Sequence, residues 1–410
     1  MPIRTLQGRE RDWGVGKGTG HQFHRQHKPN HASSISTLKP AVLALLSYCN
    51  IDEICGFVFP ISDSLRFCFG LQRLLVYSSI TTHWTAMSST GTILVTGGTS
   101  GLGYEAALEL VKQNPTYHLV LASRTNPYDA AASINKATGS KNAEFLPLDL
   151  SSLKNVRTFA ADYAHMGHPP IRMLVLNAGL QVLDGVQYTE DNIEKTFAVN
   201  HVGHALLFYL LRPHLDKNCR IVIVASGTHD PAQKTMVPDA KYNTAEELAH
   251  PTAETAKNDG RQRYATSKLC NIMWTYALHR HLVENNPGYY NWSVAGFDPG
   301  LMPGTGLARE APAYLRFVWS YILPYLLPLL RFTLSPNIHS IKDSGAALAK
   351  LATSREGNGE YYEGLEAIKS SESSYDTEKQ EDLWAWTLST VANDEAEKRD
   401  FEKVYPSAEN

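Results

Sequence analysis

From Thr92 onward the chain alternates short apolar runs with longer stretches of helical character, and that rhythm restricts the fold more than any single motif. The runs are Ile93 to Val95, His118 to Ala122, Glu144 to Leu148, Met173 to Leu176, Ile221 to Val224 and Trp292 to Phe297. Strands separated by helix-length segments read as βαβ units, in which each crossover returns the chain to the same edge and so makes the strands parallel. Between the first two runs, Leu102, Ala106 and Leu110 recur every four residues and give one helix an apolar stripe to pack on the sheet. Six such strands predict an α/β, doubly wound Rossmann fold, with a mainly parallel sheet and helices on both faces.

Between the first strand and that helix lies Thr96-Gly97-Gly98-Thr99-Ser100-Gly101-Leu102-Gly103. A turn this tight visits positive φ, and side chains there would hold the backbone away from a pyrophosphate resting on the helix N-terminus. Glycines also simply punctuate turns, so the placement between strand and helix carries the reading. About 20 residues on, a dinucleotide fold meets the adenosine ribose with an acid for a 2′-hydroxyl or an arginine for a 2′-phosphate. Here the second strand ends Leu121-Ala122-Ser123-Arg124, without an acid. Arg124 points to NADP, because a guanidinium can pair with that phosphate; a solvated arginine at a strand end is the alternative.

A second constellation, Tyr264-Ala265-Thr266-Ser267-Lys268, opens a helix with Leu269, Ile272, Met273, Tyr276 and Ala277 in its stripe. Residues four apart share a helical face, so the Lys268 ammonium can sit near the Tyr264 phenol. A phenol of pKa about 10 is a poor acid or base near neutrality, and a nearby cation favours its anion.

With these parts in order, the chain resembles the short-chain dehydrogenase/reductase family over about residues 91 to 365. The family's TGxxxGxG is matched by Thr96, Gly97, Gly101 and Gly103, and its adenine-contacting Asp by Asp149. Its NNAG segment becomes Leu176-Asn177-Ala178-Gly179, the helix Asn is Asn200, the Ser is Ser226, and the PG turn is Pro299-Gly300 with Thr305 beyond it. The resemblance implies that Tyr264 exchanges a proton with the substrate oxygen while Ser226 holds that oxygen. It implies that Lys268 binds the nicotinamide ribose and tunes Tyr264, and that Asn200 anchors a water linking Lys268 to solvent. Gly97, Thr99, Ser100, Gly101, Leu102, Gly103, Arg124, Asp149, Asn177, Ala178, Gly179, Tyr264, Lys268, Pro299, Gly300 and Thr305 would hold the cofactor. The segments 200–204, 264–271 and 298–307 look like the protochlorophyllide-reductase-like and retinol-dehydrogenase-like branch. The long insertion after Ser226 and the stretch Ser370 to Asp376 resemble its fungal members, which suggests a place in secondary metabolism. A catalytically silent nucleotide-binding scaffold of the same fold is the alternative, and it would tolerate loss of Tyr264, Lys268 or Ser226, all of which are present.

Outside the rhythm, 229–263 reads as a surface loop with a short helix from Thr244, lying inside a domain that spans 87–393. Residues 317–330 carry no charge and contain Pro324 and Pro328; they are too short for about 30 Å of hydrocarbon, which takes roughly 20 residues. Within a flap over 308–335 they could cover a lipophilic substrate, rest peripherally on a membrane or bury themselves in a homodimer contact. Asp376 can cap a helix carrying Leu383, Trp384 and Leu388, before a solvated charged tail over 394–410. Residues 1–86, with nine Lys/Arg against five Asp/Glu and four spaced histidines, read as a poorly ordered extension, and Met87 as an alternative start. A net charge of −3 argues against a nucleic-acid partner, and the five cysteines show no metal or disulfide spacing, so a reducing, cytoplasmic setting fits.

Overall fold

The computed structural model describes residues 89–235, 237–306 and 312–406. The extension 1–86 and the alternative start at Met87 lie outside the described residues, as do 307–311 of the flap and 407–410 of the tail.

The elements run β1 (Thr92–Thr96), α1 (Gly101–Gln113), β2 (His118–Ser123), α2 (Ala130–Thr138), β3 (Ala143–Pro147), α3 (Leu153–His165) and β4 (Ile171–Leu176). The second half follows with α4 (Gly203–Leu211), β5 (Leu215–Val224), α5 (Gly260–Glu284), β6 (Ser293–Asp298), α6 (Ile341–Thr353), β7 (Glu360–Glu363), β8 (Glu366–Ile368), α7 (Thr377–Val391) and α8 (Glu395–Glu402). The strands form one sheet in the order β3-β2-β1-β4-β5-β6-β7-β8, parallel except for β8, which turns back on β7. Strand β1 is buried along its whole length, as parallel strands covered on both faces must be.

One core cluster joins α1, α2 and α6 to one sheet face; another joins α3, α4, α5 and α7 to the other. The chain reverses its winding between β1 and β4, and a cleft therefore opens beyond the carboxyl ends of these strands. At the opposite end of the sheet, His118 and His168 both place Nε2 on the Glu144 carboxylate, at 2.6 and 2.9 Å. These three come from separate elements, which is why no metal-like spacing shows in the sequence.

Two expectations need correction. Strands β7 and β8 were not anticipated, because Glu360–Glu363 reads EYYE and Glu366–Ile368 reads EAI, neither of them an apolar run. What recruits them is the free edge of β6, against which Glu360 to Glu363 pair in register. The tail is also not simply solvated. Glu395–Glu402 is a helix capped by Asp394, and Phe401, Val404 and Tyr405 are buried in the core. Phe401 stacks on Tyr209 at 4.9 Å, while Asp400 reaches the buried Arg212 at 2.7 Å. Removing that ring by Phe401→Ala should lower the unfolding free energy by about 3 kcal/mol, at the lower end for a buried Phe because the site lies near the surface. Urea denaturation checks this, and an unchanged midpoint would mean that the tail does not hold the core. The anticipated Thr244 helix is present as Ala245–Ala249, with the Thr244 hydroxyl accepting from the Glu247 amide, and Asp376 caps α7 as its position implied.

Candidate active site

The turn after β1 places Gly97 at φ 65° and Gly101 at φ 56°, in the left-handed region. Gly103 is required by close approach: a Cβ there would lie 2.4 Å from the Gly97 carbonyl oxygen and 2.5 Å from Asn177 Nδ2. The Thr96 hydroxyl accepts from the amides of Asn177 and Ala178 at 2.8 and 3.0 Å, and Asn177 Nδ2 donates to the Thr96 carbonyl at 2.8 Å. The glycine turn and the loop after β4 are thereby locked together. Behind them His204, buried in α4, donates from Nδ1 to the Asn200 carbonyl at 3.2 Å and accepts the Thr96 hydroxyl at Nε2 at 2.9 Å. That assignment requires a neutral ring, and burial does hold the imidazole far below its usual range, at about 4.

These elements line a cleft of about 830 Å³, whose walls include Arg124 and Thr305. It gathers every anticipated cofactor residue: Gly97, Thr99, Ser100, Gly101, Leu102, Gly103, Arg124, Asp149, Asn177, Ala178, Gly179, Tyr264, Lys268, Pro299, Gly300 and Thr305. Arg124 is exposed at the end of β2 and makes no ion pair among the described residues. Asp149 is oriented by the Ser151 amide and hydroxyl, at 2.9 and 2.7 Å.

Tyr264 and Ser226 both line this cleft, near enough to one another that the Ser226 hydroxyl favours the Tyr264 anion. Ser226 follows β5 in extended backbone and takes hydrogen bonds from the Thr228 amide and hydroxyl, at 3.3 and 3.1 Å. Its carbonyl receives His229 Nδ1 at 2.7 Å, while His229 Nε2 accepts the Ser371 amide at 3.2 Å. The serine-rich stretch 370–374 thus braces the strand end that carries Ser226. Lys268 lies one turn beyond Tyr264, its Nζ 5.7 Å from the phenol ring centroid and donating to the Val224 carbonyl at 2.9 Å.

The electrostatics differ from the simple expectation that the ammonium lowers the phenol. Burial, reinforced by the Asp298 carboxylate, pushes Tyr264 well above its ordinary value, and only the nearby Ser226 hydroxyl opposes this. Burial lowers Lys268 to about 8, against the pull of the same carboxylate. Asp298 is the residue that sequence reasoning passed over. It is buried at the end of β6, accepts Gly300 N and Asn337 Nδ2 at 3.0 Å each, and lines the cleft. The only available signal was its place immediately before Pro299-Gly300.

Asn200 is the one anticipated site residue that does not line the cleft. It sits in a single π-helical turn, Ala198–Val202, the kind of irregularity that often accompanies functional sites. Its Oδ1 accepts the Leu180 amide at 2.8 Å, and its Nδ2 donates to the Leu180 carbonyl and the Ser267 hydroxyl, at 3.0 and 2.9 Å. Ser267 in turn donates to the Tyr264 carbonyl at 2.7 Å. The amide therefore pins the Asn177–Leu180 segment to the start of α5.

The chain is similar in sequence and fold to several known proteins. A short chain dehydrogenase family model matches residues 91–242, and an AcuH dehydrogenase domain model matches 307–397. The short-chain dehydrogenase iccH of Talaromyces variabilis is 29% identical over 347 residues, covering 73% of this chain and 94% of that one. Protochlorophyllide reductase A of rice, a chloroplastic protein, is 30% identical over 280 residues, covering 64% and 68%. A crystal structure of a protein from Mycobacterium paratuberculosis superposes with a TM-score of 0.53 at 22% identity, covering 74% of this chain and 94% of that one, a likeness of fold.

Proposed function

The chain belongs to the short-chain dehydrogenase/reductase family, and on that premise we propose that it is an NADP(H)-dependent oxidoreductase acting on a carbonyl or secondary alcohol of a lipophilic small molecule. The observation that carries the reading is that Tyr264, Ser226, Lys268 and the glycine turn all line one cleft.

The residues suit a phosphorylated dinucleotide. Gly97 and Gly103 let the turn pack directly on Asn177, Gly101 borders open space, the amides at the start of α1 can receive a pyrophosphate, and Arg124 offers a guanidinium that makes no ion pair among the described residues, for a 2′-phosphate. When bound, such a cofactor supplies the hydride chemistry. The protein does the rest. Asp149 would receive the adenine edge and Lys268 the ribose hydroxyls nearest the reacting carbon. Ser226 would hold the substrate oxygen by hydrogen bond, and Tyr264 would deliver a proton to it in reduction or remove one in oxidation. The carboxylate of Asp298 and burial keep the phenol protonated, which favours the proton-donating direction. Apolar side chains on either side of Thr305 support a lipophilic substrate, since Leu301, Met302, Leu334 and Ile338 line the same cleft.

A fluorescence titration with NADPH and NADH, followed by a panel of carbonyl compounds monitored at the nicotinamide absorbance, tests this. NADPH is expected to bind more tightly, and at least one lipophilic carbonyl to be reduced. Arg124→Ala should weaken NADPH by about tenfold to a hundredfold, the loss of one to two hydrogen bonds to a charged group, and leave NADH nearly unchanged. Preference for NADH in the unmodified chain would remove Arg124 from its assigned role.

A further inference from the structure

Ala313–Thr333 forms a continuous run of helical turns, in which α-helical stretches frame a π and a 3₁₀ turn, and none of its residues is buried. Tyr314, Phe317, Tyr321, Tyr325, Leu329 and Phe332 are each more than half exposed. Soluble monomers seldom leave so large a contiguous apolar patch in water. Cations outnumber acids around it: over 309–343 the formal charges are Arg309, Arg316, Arg331 and Lys342 against Glu310 and Asp343, and Arg331 pairs with Asp343 at 3.4 Å. Aromatic rings that pair an apolar body with a polar tip, set among an excess of cations, complement a layer of anionic headgroups.

By length and composition the segment could cross a bilayer. Three features set it in the plane of the interface instead. Pro324 and Pro328 withdraw donors from the helical ladder. The hydroxyls of Tyr321 and Tyr325, near the middle of the run, would be stranded in hydrocarbon. Both halves are also tied to the same end of the sheet. The Trp319 indole donates to the Thr305 carbonyl at 3.0 Å, and Arg331 Nε donates to the Ile338 carbonyl at 2.6 Å. Ile338 itself bridges to Leu301 just beyond β6. A crossing would carry one end away from the other and break these ties. The same ties hold the segment beside the cleft, of whose lining Leu301, Thr305, Leu334 and Ile338 are part.

We propose that Ala313–Thr333 seats the protein on an anionic bilayer surface with the cleft opening towards the lipid, so that the substrate is drawn from the membrane. The second clause rests on the carbonyl chemistry proposed above. The full chain, saturated with NADPH, should sediment with vesicles of phosphatidylcholine mixed with phosphatidylglycerol, about tenfold or more tighter than with phosphatidylcholine alone, and less tightly as salt is raised. The double variant Tyr325→Glu with Phe332→Glu changes two exposed positions, so it should fold normally and still reduce a water-soluble carbonyl. Its affinity for the mixed vesicles should fall by about tenfold or more. A chain that stays in the supernatant with both vesicle types, or a double variant that sediments undiminished, overturns the proposal. So does self-association that the double variant abolishes, because a second copy would then be the occupant. Vesicle binding by a chain that reduces no carbonyl sustains the seat and overturns the catalytic reading instead.

Discussion

Tyr264→Phe should lower kcat for carbonyl reduction by about 10³-fold, equivalent to about 4 kcal/mol of transition-state stabilisation, while leaving NADPH affinity nearly unchanged. The ring and its packing survive the change, so what is lost is the Tyr264 hydroxyl alone, in the cleft that Ser226 also lines. The unmodified enzyme should also carry a pH signature whose sign follows from the phenol's environment. Burial and Asp298 raise Tyr264 above its ordinary value, so the proton-donating form persists through neutral pH and reduction should be flat there. Oxidation of the alcohol needs the phenolate, and its rate should climb as pH rises towards that raised value. Lys268, lowered to about 8, loses its charge over part of the same range, and the cofactor's ribose contact should weaken as it does. In Tyr264→Phe the slope of oxidation against pH should vanish with the activity. Retained turnover in the variant would take the proton transfer away from Tyr264.

The second large effect is structural. Gly103→Val places a branched side chain where even a Cβ would stand 2.4 Å from the Gly97 carbonyl and 2.5 Å from Asn177 Nδ2. Neither neighbour can yield cheaply, since one is backbone and the other is hydrogen bonded to the Thr96 carbonyl. The turn must open, at a cost of about 1–3 kcal/mol in stability, and the amides that would face a pyrophosphate lose their alignment. NADPH affinity should fall by about a hundredfold or more. Far-ultraviolet circular dichroism with a cofactor titration separates the two effects. Unchanged affinity in a folded variant would move the cofactor away from the glycine turn.

The parallel sheet was legible because its strands are buried on both faces and therefore read as unbroken apolar runs. The glycine turn, Tyr264 and Lys268 were legible because each depends on local spacing, within one turn or one helix. What escaped depends on distant neighbours. Strands β7 and β8 are acidic and short, and exist because β6 offers an edge. The helix Glu395–Glu402 looks solvated until Tyr209 and Arg212, nearly two hundred residues earlier, receive Phe401 and Asp400. The Asn200 side chain bonds Leu180 and Ser267, a pairing that no local pattern reveals. Asp298 is similar: its influence on both Tyr264 and Lys268 comes from the convergence of β6 with α5, which the linear order does not display.

The most direct test follows the hydride itself. With NADPH carrying deuterium at both C4 positions of the nicotinamide and the carbonyl found by the panel, mass spectrometry of the product should locate one deuterium on the carbinol carbon, transferred at a rate that Tyr264→Phe depresses. A product without deuterium on that carbon, or a transfer rate indifferent to Tyr264, would contradict the account.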